Sequence, residues 1–162
     1  MRSPSAAILL AFVTVAPTGA SAQDPDPQVR LWEAAIAGDT SLIRQALAAG
    51  ARIDSLDTRR NPNGRRALNW AALNNRVPAL QFLVARGAGI EAENRTGFTA
   101  LHHAAEVGAL EAARALLLAG ADARHLNKAG LTPARIAREN GFESVAVLLE
   151  AAERGERPPP PQ

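Results

Sequence analysis

Cysteine and tyrosine are absent from this 162-residue sequence, and Lys128 is its only lysine. Without cysteine the chain can form no disulfide and offers no thiolate for catalysis or metal binding. A bacterial lipoprotein carries its lipid on a cysteine, so lipid anchoring by that route is not expected. Without disulfides, the stability of the fold must come from packing.

The charge balance gives little indication of a charged partner. Arginine supplies nearly all of the basic groups, so a small excess raises the isoelectric point to about 10.3 although the formal net charge is only +2. Net charge, rather than the isoelectric point, governs long-range attraction to charged partners. Nucleic acid is therefore not a predicted partner.

A single long apolar run occupies residues 6–16, close to the N-terminus. Arg2 precedes it, Pro17 follows it, and Ala20-Ser21-Ala22 has the small-x-small pattern of a cleavage site. This order predicts a secretory signal peptide over residues 1–22, cleaved after Ala22. An uncleaved membrane anchor is the alternative, but a spanning helix needs roughly 20 apolar residues, about twice this length. We expect export to a bacterial periplasm without membrane insertion after cleavage; secretion from the cell is the other destination considered.

Two proline-rich segments bound the rest of the chain. Residues 23–28 include Asp24-Pro25-Asp26-Pro27 and are predicted to be an extended or disordered leader. Residues 153–162 end in prolines that cannot continue a helix, so we predict a disordered tail. Between them, residues 29–152 keep the apolar spacing of helices, which predicts one all-α domain.

The domain contains an internal repeat. Gly64, Gly97 and Gly130 are spaced by 33 residues, and Asn75, Gly108 and Gly141 show the same step. Gly38 precedes Asn75 by 37 residues, which places four extra residues at about 57–60. Such a period predicts stacked structural units, with boundaries near residues 29–60, 61–93, 94–126 and 127–152.

Each unit has the composition of a turn followed by two helices. Thr99 and Thr132 are suited to cap the first helix of their units. Ala104-Ala105 and its equivalents keep that helix thin, and Gly120 ends the second helix as a left-handed cap. Two helices of this length cannot form a core alone, so neighbouring units must stack.

The third unit, residues 94–126, resembles a repeat of the ankyrin family. The resemblance is carried by Gly97, Thr99, Leu101, His102, Ala104, Ala105, Gly108, Leu116, Leu117 and Gly120-Ala121-Asp122. It implies an all-α ankyrin-repeat solenoid of about four helix-turn-helix repeats joined by β-hairpin turns, with the first and last repeats as caps. Asn69 and Arg135 stand where the family has histidine, and Asn75 replaces a glycine because asparagine tolerates the left-handed conformation.

The sequence offers no site for catalysis, a metal or another cofactor. His102 and His103 are adjacent, and neighbouring residues on a helix point about 100° apart, so they do not readily share one ligand. The resemblance assigns His102 a structural role, linking its repeat to the neighbouring turn. His103 faces either the neighbouring repeat or the groove. No nucleophile motif or phosphate-binding loop is present, so we expect no enzymatic activity.

In the ankyrin family the hairpin tips and the ends of the first helices line a concave groove that binds proteins. The resemblance therefore implies a partner-binding surface on matching positions: Asn63, Arg65, Leu73, Asn74, Arg95, Phe98, Glu106, Val107, Lys128, Leu131, Glu139 and Asn140, extended by Ile36 and Ala37. Trp70 is either packing between first helices or a further anchor in the groove. The predicted partner is another protein, and we expect the chain itself to be a monomer.

One cluster of charge, Arg59, Arg60, Arg65 and Arg66, lies at the extra residues and the second hairpin. It is either a solvated loop or a patch that attracts an acidic protein surface. With the predicted export, the pattern favours a protective or assembly factor for an exported enzyme. The alternatives are an immunity-type inhibitor of a toxin that acts in the periplasm and a structural spacer in the envelope.

Overall fold

The computed structural model describes residues 25–158. The predicted signal peptide and its cleavage after Ala22 lie outside these residues, as do the beginning of the leader and the tail from residue 159. Eight helices run through the described part of the chain: α1 (Pro27–Ala37), α2 (Thr40–Ala48), α3 (Ala67–Leu73), α4 (Val77–Ala85), α5 (Ala100–Glu106), α6 (Leu110–Leu118), α7 (Pro133–Glu139) and α8 (Glu143–Glu153).

The helices form four antiparallel pairs stacked in two layers. One layer contains the first helices in the order α1, α3, α5 and α7, and the other contains α2, α4, α6 and α8. Each helix contacts its partner in the pair and the equivalent helix of the next pair. This is the predicted all-α solenoid. No helix in residues 25–158 is long and apolar enough to cross a membrane.

Small side chains bring the first helices together. Ala71, Ala72, Ala104 and Ala105 are completely buried where α3 packs against α5. Because alanine adds only a methyl group, adjacent helices can approach closely, while leucines such as Leu116 fill the space between the layers. The core is thus continuous from repeat to repeat, as stacking requires.

A residue with positive φ reverses the chain between the two helices of each pair. Gly38, Gly108 and Gly141 have φ values of 86°, 70° and 78°, and Asn75 takes the same position with φ 52°. The prediction that asparagine replaces glycine here is confirmed. The Asn75 side chain also accepts a hydrogen bond from the backbone N–H of Ala112, at 3.0 Å, and so caps α6 of the following repeat.

The turns between repeats have hairpin form with little strand character. In the described residues the only β-bridge is an isolated antiparallel pair, Asp57 with Arg65. Neighbouring tips are joined by backbone hydrogen bonds: the N–H of Arg95 donates to the Asn63 carbonyl at 3.0 Å. The N–H of Lys128 donates in the same way to the Thr96 carbonyl at 3.1 Å. The tips therefore form a row along one edge of the layer of first helices.

Two predicted boundaries need correction. Helix α1 begins at Pro27 rather than at Val29, because the Asp26 side chain accepts the N–H of Gln28 and proline is favourable in a first turn. Gln28, assigned to a disordered leader, instead exchanges hydrogen bonds with the backbone of Arg52 at 2.8 and 3.1 Å. At the other end α8 continues to Glu153, one residue into the predicted tail.

Candidate functional site: a cleft in the concave groove

A cleft of about 470 Å³ lies between the hairpin tips of the second, third and fourth repeats and the end of α5. Its walls combine polar, charged and aromatic side chains. They are supplied by Asn61, Asn63, Arg65, Asn94, Thr96, Phe98, His103, Glu106, Lys128 and Ala129. Of the residues predicted to line the groove, the structure brings Asn63, Arg65, Phe98, Glu106 and Lys128 together here.

Phe98 provides the aromatic surface of the cleft. Its ring is partly exposed and packs against the buried core. The ring centroid lies 5.4 Å from that of His102 and 5.3 Å from that of His103, with tilted planes in both cases. These contacts hold the phenyl ring in place, so that it presents a preformed apolar surface to the cleft.

His103 and Glu106 form a hydrogen-bonded pair on α5. Nδ1 of His103 lies 2.9 Å from Oε2 of Glu106. Burial lowers the pKa of His103, with the Glu106 carboxylate opposing the shift, and the hydrogen bond from His103 lowers the pKa of Glu106. An ionised carboxylate can only accept, so Nδ1 carries the proton and Nε2 of the neutral ring is an acceptor. Nε2 is buried and has no hydrogen-bond partner among residues 25–158.

Arg65 enters the cleft from the hairpin of the second repeat. Its guanidinium carbon lies 4.9 Å from the centroid of a Trp70 ring, a cation–π contact that restrains the side chain. Trp70 itself is only 6% exposed and donates from Nε1 to Oδ2 of Asp57 at 3.2 Å. The structure therefore corrects the interpretation of Trp70 as a groove anchor: it packs between the first helices and supports Arg65 from behind.

The four arginines of the cluster differ in the groups that they bind. Arg59 is bound by both carboxylate oxygens of the buried Asp57, at 2.8 and 2.9 Å. Arg60 donates to both oxygens of Glu33, at 3.0 and 3.1 Å. Arg66 donates to the backbone carbonyl of Glu93 at 2.8 Å and to that of Asp54.

The cluster is therefore neither a uniformly solvated loop nor one anion-binding patch. Three of its side chains hold the extra residues and the second hairpin against the solenoid. Within the described residues, Arg65 is the member of the cluster that lines the cleft.

The other predicted groove residues lie outside the cleft. Arg95 is exposed at its rim, where the side chain donates to the Pro62 carbonyl at 2.6 Å, and Val107 is 40% exposed at the end of α5. The remaining positions lie along the neighbouring helix ends and turns, with half-buried Leu73, Asn74, Leu131 and Ile36 and exposed Ala37, Glu139 and Asn140. Asn140 donates to the Glu106 carbonyl at 3.3 Å, and Glu139 pairs with Arg135 at 2.8 Å.

Several cleft residues were missed by the sequence prediction. Asn61, Asn94 and Thr96 lie in turns. Their residue types indicate a turn but do not indicate that the side chains line a cleft. The side-chain oxygen of Asn94 accepts from the N–H and hydroxyl of Thr96 and from the N–H of Phe98. These bonds shape the tip and orient Phe98. His103 was left between two environments, and the structure places it on the groove side.

His102 has the structural role that the resemblance implied. It is fully buried, Nδ1 accepts the N–H of Thr99 at 3.2 Å, and Nε2 lies 3.2 Å from the Leu131 carbonyl. Burial lowers its pKa to about 4, so the ring is neutral near neutral pH. Within residues 25–158 no group of three or more histidine or acidic residues is arranged to hold a metal ion.

Comparison with protein families finds a match over most of the solenoid. The family model described as ankyrin repeats, in three copies, matches residues 31–127. This range begins within α1 and ends at the tip before α7, so it includes the second and third repeats and most of the cleft. The pair α7 and α8 continues the same stacking beyond the matched range.

Proposed function

Because the chain belongs to the ankyrin-repeat family, whose members are generally noncatalytic modules that bind other proteins, we propose that it binds a partner protein through its concave groove. The observation that carries this proposal is the cleft. It combines a fixed aromatic surface, Phe98, with charged side chains from three consecutive repeats. Aromatic and arginine side chains in such pockets commonly dominate the energy of protein association.

The side chains of the cleft are held by contacts within the chain. Glu106 is hydrogen-bonded to His103, and Asn94 shapes the hairpin tip that carries Phe98. The backbone of Lys128 is tied to the preceding tip, while its side chain remains exposed. A surface that is fixed before binding loses little conformational entropy on association, which favours affinity.

We also propose where this binding takes place. The apolar run and small-x-small site in residues 1–22 support export, so the partner would be met in a bacterial periplasm. There the chain would act as a protective or assembly factor for an exported enzyme, by holding one surface of that enzyme in the groove. Cell fractionation tests the location: recovery of the chain from the cytoplasm with residues 1–22 attached would contradict it.

Two substitutions by glutamate test the use of the groove. Lys128→Glu reverses a charge in the cleft, whereas Gln81→Glu adds a negative charge at an exposed position of α4, in the other layer. Both side chains are at the surface, so neither change disturbs the core. Affinity capture from the native cells should lose the partner with Lys128→Glu and keep it with Gln81→Glu. Equal capture by both variants would exclude the cleft as the binding surface.

A further inference from the structure

Positive charges outnumber negative ones among the side chains of the cleft. Arg65 and Lys128 line the cleft, and neither forms an ion pair with a carboxylate in residues 25–158. The carboxylate that lines it, Glu106, keeps its negative charge, because the His103 ring that donates to it is neutral; the nearby charge of Arg65 also lowers the pKa of Glu106. Arg95 adds a further positive charge at the rim, where its partner is a neutral carbonyl. The cleft therefore presents an excess of positive charge.

Arg65 is prepared to receive a negatively charged group. Its side chain forms no hydrogen bond or ion pair among the described residues, and because Nε is buried, the terminal nitrogens of the guanidinium are the donors open to the cleft. The Trp70 ring beneath the guanidinium fixes its plane, and Arg60 approaches the same tryptophan from 5.9 Å. A planar, restrained guanidinium matches the two oxygens of a carboxylate better than it matches a single neutral acceptor.

The other residues that line the cleft indicate which chemical group lies next to that carboxylate in the bound partner. Phe98 offers an apolar surface next to the charged positions. A segment of extended polypeptide can carry an apolar side chain beside an acidic one. A simple inorganic anion offers no group to pack on Phe98, and the proposed function makes the partner a protein.

From this complementarity we propose that the cleft recognises an acidic segment of the partner protein: an Asp or Glu carboxylate bound by Arg65 and attracted by Lys128, next to an apolar side chain packed on Phe98. This inference rests on the proposed function and specifies the chemistry of the partner. Attraction between exposed charges is screened by salt, so binding should weaken as ionic strength rises.

Random short peptides displayed on phage provide a probe that does not require the natural partner. Selection on the full chain should enrich peptides in which Asp or Glu adjoins an apolar residue. Replacing that acid by its amide in a synthetic peptide should weaken binding at least about tenfold, the scale expected for a charge-assisted hydrogen bond. Selection that enriches no peptide, or peptides without acidic residues, would overturn the proposal.

Matched variants locate the interaction. Arg65→Gln should lose at least about tenfold in affinity and should no longer distinguish the acidic peptide from its amide, as expected when the two groups are coupled. Arg60→Gln is the control, because Arg60 belongs to the same cluster but is bound by Glu33. Equal losses in both variants would contradict the assignment. Lys128→Gln, at an exposed position, gives a second measurement if Arg65→Gln folds poorly.

The two proposals fail in different ways. If the charge reversal at Lys128 leaves capture of the cellular partner unchanged, groove binding itself is wrong. If the partner is lost but the segment crosslinked to the cleft contains no acidic residue, groove binding stands and the acidic specificity is wrong.

Discussion

Nε2 of His102 lies 3.2 Å from the carbonyl oxygen of Leu131, and this contact joins α5 to the hairpin of the next repeat. On the other side of the ring, Nδ1 accepts the N–H of Thr99. Nε2 must therefore carry the proton and donate to Leu131. The neutral imidazole satisfies the N-terminus of its own helix and a carbonyl of the next repeat at once.

Protonation of His102 should destabilise the fold. Its pKa is about 4 in the folded chain, against 6.5 for an ordinary histidine. As pH falls, the unfolded chain binds the proton first, so stability that is present above about pH 6.5 is lost towards about pH 4. The difference corresponds to about 3 kcal/mol. Urea unfolding of the chain and of His102→Gln, measured across this range, should show a flatter profile for the variant. An equally steep profile would contradict the assignment.

The second repeat lacks one bond that the third repeat makes. Asn69 occupies the position of His102 and accepts the N–H of Arg66 at 2.8 Å, but its Nδ2 has no partner in the described residues. The longer imidazole of Asn69→His should reach the Phe98 carbonyl, the equivalent of Leu131. We expect stabilisation of about 1 kcal/mol from the added hydrogen bond. Chemical denaturation checks this, and a loss of stability would show that the site cannot accept the ring.

Two equivalent glycines, Gly97 and Gly130, differ in how closely the rest of the chain approaches them. A Cβ added at Gly97 would lie 2.7 Å from the backbone nitrogen of Lys128, whereas at Gly130 nothing lies within 4 Å. Both have positive φ, 80° and 74°, so alanine carries a similar backbone cost of about 1 kcal/mol at each. Gly97→Ala should therefore lower the free energy of unfolding by clearly more than Gly130→Ala, as measured by urea denaturation. Equal effects would mean that the hairpin tips of the third and fourth repeats can move apart with no loss of stability.

Asp57 should be the most sensitive of the extra residues. It is completely buried, accepts from Arg59 and Trp70, and has a lowered pKa because these hydrogen bonds outweigh the opposing effect of burial. Asp57→Ala leaves the Trp70 N–H and a guanidinium without their acceptor, so we expect a loss of about 3 kcal/mol. Thr58→Ala, at an exposed neighbour, is the control. Hydrogen exchange should accelerate first in α1 and α3; unchanged protection there would contradict this role.

Much of the fold was predictable because the same sequence pattern recurs in each repeat. The spacing of Gly64, Gly97 and Gly130 fixed the period, and Asn75 could be recognised as a left-handed turn because asparagine tolerates that conformation. Arg66 and the extra residues suggested only a departure from the pattern. That Arg66 reaches carbonyls on both sides of its hairpin depends on distances that sequence spacing does not give.

The site was predictable only in part. The positions of Phe98, Arg65 and Glu106 followed from the resemblance, because groove positions recur with the repeat. Whether a side chain at such a position is accessible depends on its neighbours: Trp70 is covered, since Arg65 lies over its ring and Asp57 binds its nitrogen. The pairing of His103 with Glu106 was not predicted, although their spacing of three residues places them on one face of α5.

Site-directed photocrosslinking in living cells tests the central claim, that the concave groove binds a partner protein. A photoreactive residue would replace Asn63 or Lys128 at the cleft, or Gln81 on the opposite layer as a control. We predict that both cleft positions capture the same protein and that Gln81 does not. Capture of a common protein from Gln81 but from neither cleft position would contradict binding through the groove.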